Sequence, residues 1–242
     1  MALSLLAGLS ILLLGESHLT INGSLIESLH DELNRQGAVV HSIGACGASA
    51  QDWLVKKNVD CGADRVGTGK AVVRGRDATT TPITQLIATD KPDIVVLVIG
   101  DTMASYDKEA FPKTWAWQSV TSLTKAIAGT NTRCVWVGPP WGTPGGQYKK
   151  NDVRVQLMSR FLATNVAPCD YVDSLTFSKP GQWTTTDGQH FTVAGYKSWG
   201  AAIAKAVAES DAAKAVAKPA AAAGTKTTST ATSPTAAPGA RK

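Results

Sequence analysis

The first pattern along the chain is an apolar run over residues 3–14, as expected of a strand buried on both faces. Gly15-Glu16-Ser17-His18 follows as a turn. Leu25, Ile26, Leu29 and Leu33 then recur at helical spacing, and Gly37 ends that helix. Residues 38–43 read as a second strand. Residues 58–81 are rich in Gly, Thr and charge and read as a surface excursion. The clearest strand covers residues 93–99, nearly all β-branched or leucine, and it stops at Gly100. A helix over 115–128, a strand over 134–137, the rigid loop Gly138-Pro139-Pro140-Trp141-Gly142, a helix over 153–165, a short strand over 170–172 and a closing helix over 193–208 complete the body. Short apolar strands alternating with helices predict an α/β fold built on a parallel sheet.

From Asp211 onward Ala, Thr, Ser, Pro and Lys dominate, and such a segment buries too little apolar surface to offset its chain entropy. The expected organisation is one folded domain over residues 1–210 and a disordered tail over 211–242. This division changes the reading of the charge. The 242 residues carry a net +5, but the tail holds five basic residues against the single acid Asp211, which leaves the body near +1. A nearly neutral body has no nucleic-acid footprint. The first apolar run is too short to span a bilayer and has no basic residues before it, so neither an integral membrane segment nor a signal h-region is expected there. A leader, if the protein is exported, is expected to lie outside this chain.

Four cysteines fit two disulfides, paired by position as Cys46–Cys61 and Cys134–Cys169, and two disulfides imply a periplasmic or secreted protein. The alternative is four small buried hydrophobes in a reducing compartment, so a cytoplasmic location stays open. No metal-ligand cluster and no phosphate-binding glycine loop is read, because Gly67-Thr68-Gly69-Lys70 follows no convincing strand. No cofactor is expected.

Three segments at the C-terminal ends of expected strands carry the chemistry, and in open α/β sheets that edge binds ligands. They are Gly15-Glu16-Ser17-His18, Gly100-Asp101-Thr102-Met103 and Asp187-Gly188-Gln189-His190. A serine hydroxyl needs a base to take its proton, and a histidine base needs an acceptor that fixes its tautomer. Ser17, His190 and Asp187 could fill these three roles. Each has a simpler reading. Ser17 could be a turn or helix-cap residue, and His190 a surface histidine beside a helix start.

Together the segments resemble the SGNH (GDSL-like) hydrolases. Gly15-Glu16-Ser17 looks like the nucleophile block. Gly47 resembles the second-block glycine. Gly100-Asp101-Thr102-Met103 resembles the third block, and Asp187-Gly188-Gln189-His190 the final one. The blocks occur in family order across residues 15–190. The resemblance implies a three-layer α/β/α fold with a five-stranded parallel sheet in the flavodoxin-like order 2-1-3-4-5. It also implies a Ser17-His190-Asp187 triad, with an oxyanion hole formed by Ser17, Gly47 and Thr102. Glu16 replaces the usual Asp, and Thr102 stands where the family has an asparagine. The Gly-Asp-x-Met form and His18 are closer to the branch that handles acetyl groups on bacterial polysaccharides.

The expected function is therefore hydrolysis of short acyl esters, O-acetyl above all, on a glycan or small molecule. The rivals are an O-acetyltransferase using the same acyl-enzyme, a non-catalytic glycan-binding module, and a lipid esterase. Trp141 and Trp183 are candidate sugar-stacking residues, with core or rim packing as the alternative. Asp52 and Trp53 line a cleft or start a helix, while His30 and His41 read as core or surface residues. The sequence leaves the oligomeric state open.

Overall fold

The computed structural model describes residues 5–106 and 108–217. Its centre is strand β1 (Ser10–Gly15), flanked by β2 (Val39–Ala45) on one side and β5 (Ile94–Val98) on the other, both parallel to it. Strand β6 (Arg133–Val137) continues beyond β5, and β7 (Asp170–Val172) beyond β6, again in parallel. On the other side, β3 (Gly62–Val66) and β4 (Val72–Arg74) add to β2 as an antiparallel pair. The sheet is therefore mixed and seven-stranded, in the order β4-β3-β2-β1-β5-β6-β7, rather than five-stranded and all-parallel.

The two extra strands lie within the expected surface excursion. Their side chains are mostly polar or exposed, so no apolar alternation marks them; main-chain pairing to β2 makes them strands. Gly67-Thr68-Gly69-Lys70 does follow a strand after all, but it is the turn between β3 and β4 and not the start of a helix.

The sheet is covered on both faces. Ile11 and Leu13 of β1 enter one core with α1 (Leu25–Arg35), α6 (Val193–Glu209) and α7 (Asp211–Val216). Leu12 and Leu14 enter a second core with α2 (Ile83–Asp90), α4 (Lys113–Ala128) and α5 (Asp152–Asn165). Side chains alternate across a strand, so a continuous apolar run serves both layers. Because β1 begins only at Ser10, Leu6 and Leu9 plug the first core from a turn that Gly8 (φ +74°) makes possible. Residues 3 and 4 of the expected first strand lie outside the described residues.

At the other end, residues 211–216 are helical and not part of a structureless tail. Ala212 and Ala213 are buried, the Ser210 hydroxyl accepts from the Ala213 amide, and the Asp170 carboxylate accepts from the Ala212 amide. Residues 218–242 of the expected tail lie outside the described residues. No helix among the described residues is long and apolar enough to cross a membrane.

The connections from β1 lead to β2 on one side and, later in the chain, to β5 on the other. The loops after β1 and β5 therefore diverge and leave a crevice at the C-terminal edge.

Candidate active site

Ser17 opens a single 3-10 turn (Ser17–Leu19) two residues beyond the end of β1. The chain can turn there because Gly15 lacks a side chain: a Cβ would meet the Val98 carbonyl at 2.9 Å and Leu19 Cδ1 at 2.5 Å. His190 and Asp187 come from the turn that precedes α6. His190 Nε2 lies 2.7 Å from Ser17 Oγ, and His190 Nδ1 lies 2.7 Å from Asp187 Oδ2. The other Asp187 oxygen accepts from the Gln189 amide at 2.9 Å and the His190 amide at 2.7 Å. Partial burial pushes the Asp187 carboxyl up, but these bonds outweigh it, and the group ends below its ordinary value. It is therefore an anion at neutral pH, fit to hold a proton on Nδ1 and leave Nε2 as acceptor for the serine.

Ser17 and His190 face a cleft of about 560 Å³, which Gly47, Thr102, Ser105, Tyr148 and Gln189 also line. Gly47 has φ +66°, a conformation that favours glycine, and its loop is tethered by the Cys46–Cys61 disulfide. The second disulfide joins Cys134 to Cys169, so both pairs expected by position are present. Neither the Ser17 nor the Gly47 amide donates to another protein group among the described residues. The Thr102 amide, by contrast, is engaged: it donates to Glu16 Oε2 at 2.5 Å, while Gly100 and Asp101 donate to Oε1 at 2.8 and 2.7 Å. One buried carboxylate thus gathers the start of α3 (Asp101–Ala104), the single helical turn after β5, and holds the Thr102 main chain in place. Burial and the neighbouring Asp101 charge push Glu16 up to about 7, against the pull of Thr102 and the Gly100 amide.

Beneath the cleft lies a buried polar chain. Tyr196 Oη is 2.9 Å from His18 Nδ1, His18 Nε2 is 2.8 Å from Asp101 Oδ2, and the Lys150 ammonium donates to Asp101 Oδ1. Burial pushes Asp101 up, but the Lys150 and His18 contacts outweigh it and hold the carboxyl down at about 2. Burial lowers His18 and raises Tyr196, so both are neutral. The protons then have one consistent arrangement: Tyr196 O–H donates to Nδ1, and Nε2–H donates to Asp101. This chain joins the loops after β1 and β5, the loop before α5, and α6.

No protein-family model matches the chain. Protein BcsX of Komagataeibacter xylinus is 43% identical over 206 residues, which are 84% of this chain and 78% of that protein. The chain belongs to the BcsX family. Its fold is that of the SGNH hydrolases. A GDSL-like lipase from Bacteroides thetaiotaomicron superposes with a TM-score of 0.52 over 83% of this chain and 88% of its own, at 13% identity. A peptidoglycan O-acetylesterase superposes with a TM-score of 0.51 over 84% and 91%, also at 13% identity. At that identity each likeness is one of fold.

In this BcsX-family chain the structure brings Ser17, Asp187, His190, Gly47 and Thr102 to one cleft. Trp141 is not among its lining residues: its indole N–H donates to the Leu175 carbonyl at 2.9 Å and anchors the loop after β6. Trp183 lines a neighbouring groove and packs edge-on against Phe191. Asp52 caps a short turn through Ser49, Trp53 is fully buried beside it, and His30 is held in the core by Ser42 and the Gly67 carbonyl. His41 pairs with Asp90 at 2.5 Å.

Sequence reasoning missed Lys150 and Tyr148, whose ring stands edge-on to His190 at 5.2 Å. Lys150 sits in a polar loop that carries no periodic signal, and only its burial marks it. Among the described residues no cluster of three or more His, Cys, Asp or Glu could hold a metal.

Proposed function

We propose that this chain is a serine esterase that hydrolyses short acyl esters, O-acetyl groups on a carbohydrate above all, and that it works outside the cytoplasm. The observation that carries the reading is the continuous hydrogen-bonded line Ser17–His190–Asp187 opening onto a cleft. Ser17 Oγ attacks the ester carbonyl as His190 Nε2 takes its proton. The tetrahedral oxyanion is held by the Ser17 and Gly47 amides, with the Thr102 hydroxyl as a third donor. Collapse breaks the C–O bond, and His190 returns the proton to the leaving alcohol. Water then attacks the acyl-enzyme by the same route and releases the acid. Asp187 orients His190 and stabilises its cationic form throughout.

An oxyanion donor is worth about 2.7–4 kcal/mol in the barrier, so the absence of a third-block carboxamide predicts a slower enzyme than one that has it. The peptidoglycan O-acetylesterase among the fold relatives supports acetyl as the acyl group. The two disulfides support an oxidising compartment.

The test is turnover of p-nitrophenyl acetate by wild type and Ser17→Ala. Loss of turnover in the variant is expected, and undiminished turnover refutes the assignment. Acetate appearing in water marks hydrolysis; label appearing on an added oligosaccharide marks transfer instead.

A further inference from the structure

A second groove of about 590 Å³ adjoins the Ser17 cleft, and Thr186 and Asp187 line both. It falls within the range of about 300–1,000 Å³ typical of ligand sites. Its walls are unusual in chemistry. Trp183 supplies an aromatic surface, and Thr143, Thr184, Thr185, Thr186 and Gln147 supply hydroxyl and carboxamide groups. The one charged side chain among the lining residues is Asp187, already engaged by His190. Among the described residues the Ser17 cleft is likewise lined by no Lys or Arg; its charged groups are Asp60 and Asp187. Lys149 and Lys179 are near in the chain but line neither space. An anionic ligand would therefore meet carboxylates without a compensating cation. An uncharged ligand with several hydroxyls would meet donors, acceptors and one aromatic ring.

The groove is also held in register with the candidate triad. The Thr143 amide donates to the Gly188 carbonyl at 2.9 Å, and the Gln147 amide to the Asp187 carbonyl at 3.2 Å. Gly146 lies against the same peptide, where a Cβ would collide with the Asp187 carbonyl. Trp183 is fixed from behind, its ring at 89° to Phe191 with centroids 5.6 Å apart. A molecule seated in this groove is thus placed at a set distance from Ser17.

We propose that this groove is a subsite for an uncharged sugar unit of the polymer whose neighbouring unit presents its acyl group to Ser17. Delivery of the acyl group to Ser17 rests on the esterase reading, whereas the sugar subsite rests on the groove alone. Trp183 supplies the stacking face, and the threonine and Gln147 side chains bond the sugar hydroxyls. The substrate class is a neutral, not an anionic, acylated glycan.

The test compares kcat/KM on partially O-acetylated xylo-oligosaccharide, partially O-acetylated oligogalacturonate and p-nitrophenyl acetate. Wild type is expected to prefer the neutral to the anionic oligosaccharide. In Trp183→Ala and in Gln147→Ala the ratio of kcat/KM on the neutral oligosaccharide to that on p-nitrophenyl acetate is expected to fall about tenfold, equivalent to about 1.4 kcal/mol, through KM. Gln147 is exposed, so its variant keeps the test valid if Trp183→Ala fails to fold. An unchanged ratio in Gln147→Ala, or a wild-type preference for the anionic oligosaccharide, overturns the subsite. Calorimetric titration with unacetylated xylo-oligosaccharide separates the two readings. Binding that weakens in Gln147→Ala supports the subsite even if p-nitrophenyl acetate is not turned over, a result that would refute only the esterase. Absence of binding overturns the subsite even if the ester is hydrolysed.

Discussion

Replacing Lys150 by methionine tests the buried chain under the cleft. The Lys150 and Asp101 side chains are about 2% and 1% exposed, so neither charge has water to fall back on. Methionine keeps the apolar stem and removes the ammonium. Asp101 would keep its bond from neutral His18 but lose the Lys150 ammonium, while Glu16 still lies close by. Removing one partner of a buried pair destabilises by about 3–5 kcal/mol. For a domain of this size that lowers Tm by about 6–20 °C. The pH dependence supplies a sharper readout. Asp101 lies below its ordinary carboxyl value in the folded state, so its contribution is fully present above about pH 4 and is lost as pH falls toward 2. The deficit of Lys150→Met measured by urea denaturation should therefore be largest at pH 7 and shrink as pH falls, because the buried carboxyl left without its cation takes up a proton before the paired one does. The double variant Asp101→Asn/Lys150→Met should recover most of the loss, because no unpaired charge remains. A deficit under about 1 kcal/mol, or one equal at pH 7 and pH 3.5, refutes the reasoning.

Glu16 titrates with the opposite sign. Its folded value lies above its unfolded one, so wild-type stability should fall as pH rises from about 4.5 to about 7, by a few kcal/mol. Glu16→Gln should flatten that slope; a variant that keeps it argues against the assignment. Cys46 and Cys61 are 15 residues apart, and replacing both by serine should cost about 3 kcal/mol of stability by chain entropy. Because Gly47 follows Cys46, the same variant should lose kcat on p-nitrophenyl acetate more than it gains KM; unchanged kcat would detach Gly47 from the oxyanion.

The elements with a strong periodic signal were readable in advance. The apolar runs at β1 and β5, the spacing of Leu25, Ile26, Leu29 and Leu33 in α1, and the closing helix α6 each carry their own burial pattern. What escaped the pattern was held by main-chain pairing or by a few contacts. Strands β3 and β4 exist because β2 offers an unpaired edge. Helix α2 is short, with Ile83, Leu86 and Ile87 as its buried side chains, and α7 is anchored by two alanines and an aspartate from β7.

The candidate site divides in the same way. Ser17, Asp187 and His190 stand out in the sequence because a strand end, a turn and a helix start each constrain local chemistry within a few residues. Their meeting across 173 residues, the engagement of the Thr102 amide by Glu16, and the removal of Trp141 from the cleft were settled only by the tertiary fold. Local sequence determines what each loop can offer. The packing of three loops against one sheet edge determines which atoms come within hydrogen-bond reach, and it alone buries Lys150 against Asp101. The sequence by itself therefore determined the elements that carry their own apolar periodicity and the identity of the candidate groups. The structure decided their distances, because those depend on contacts between residues far apart in the chain.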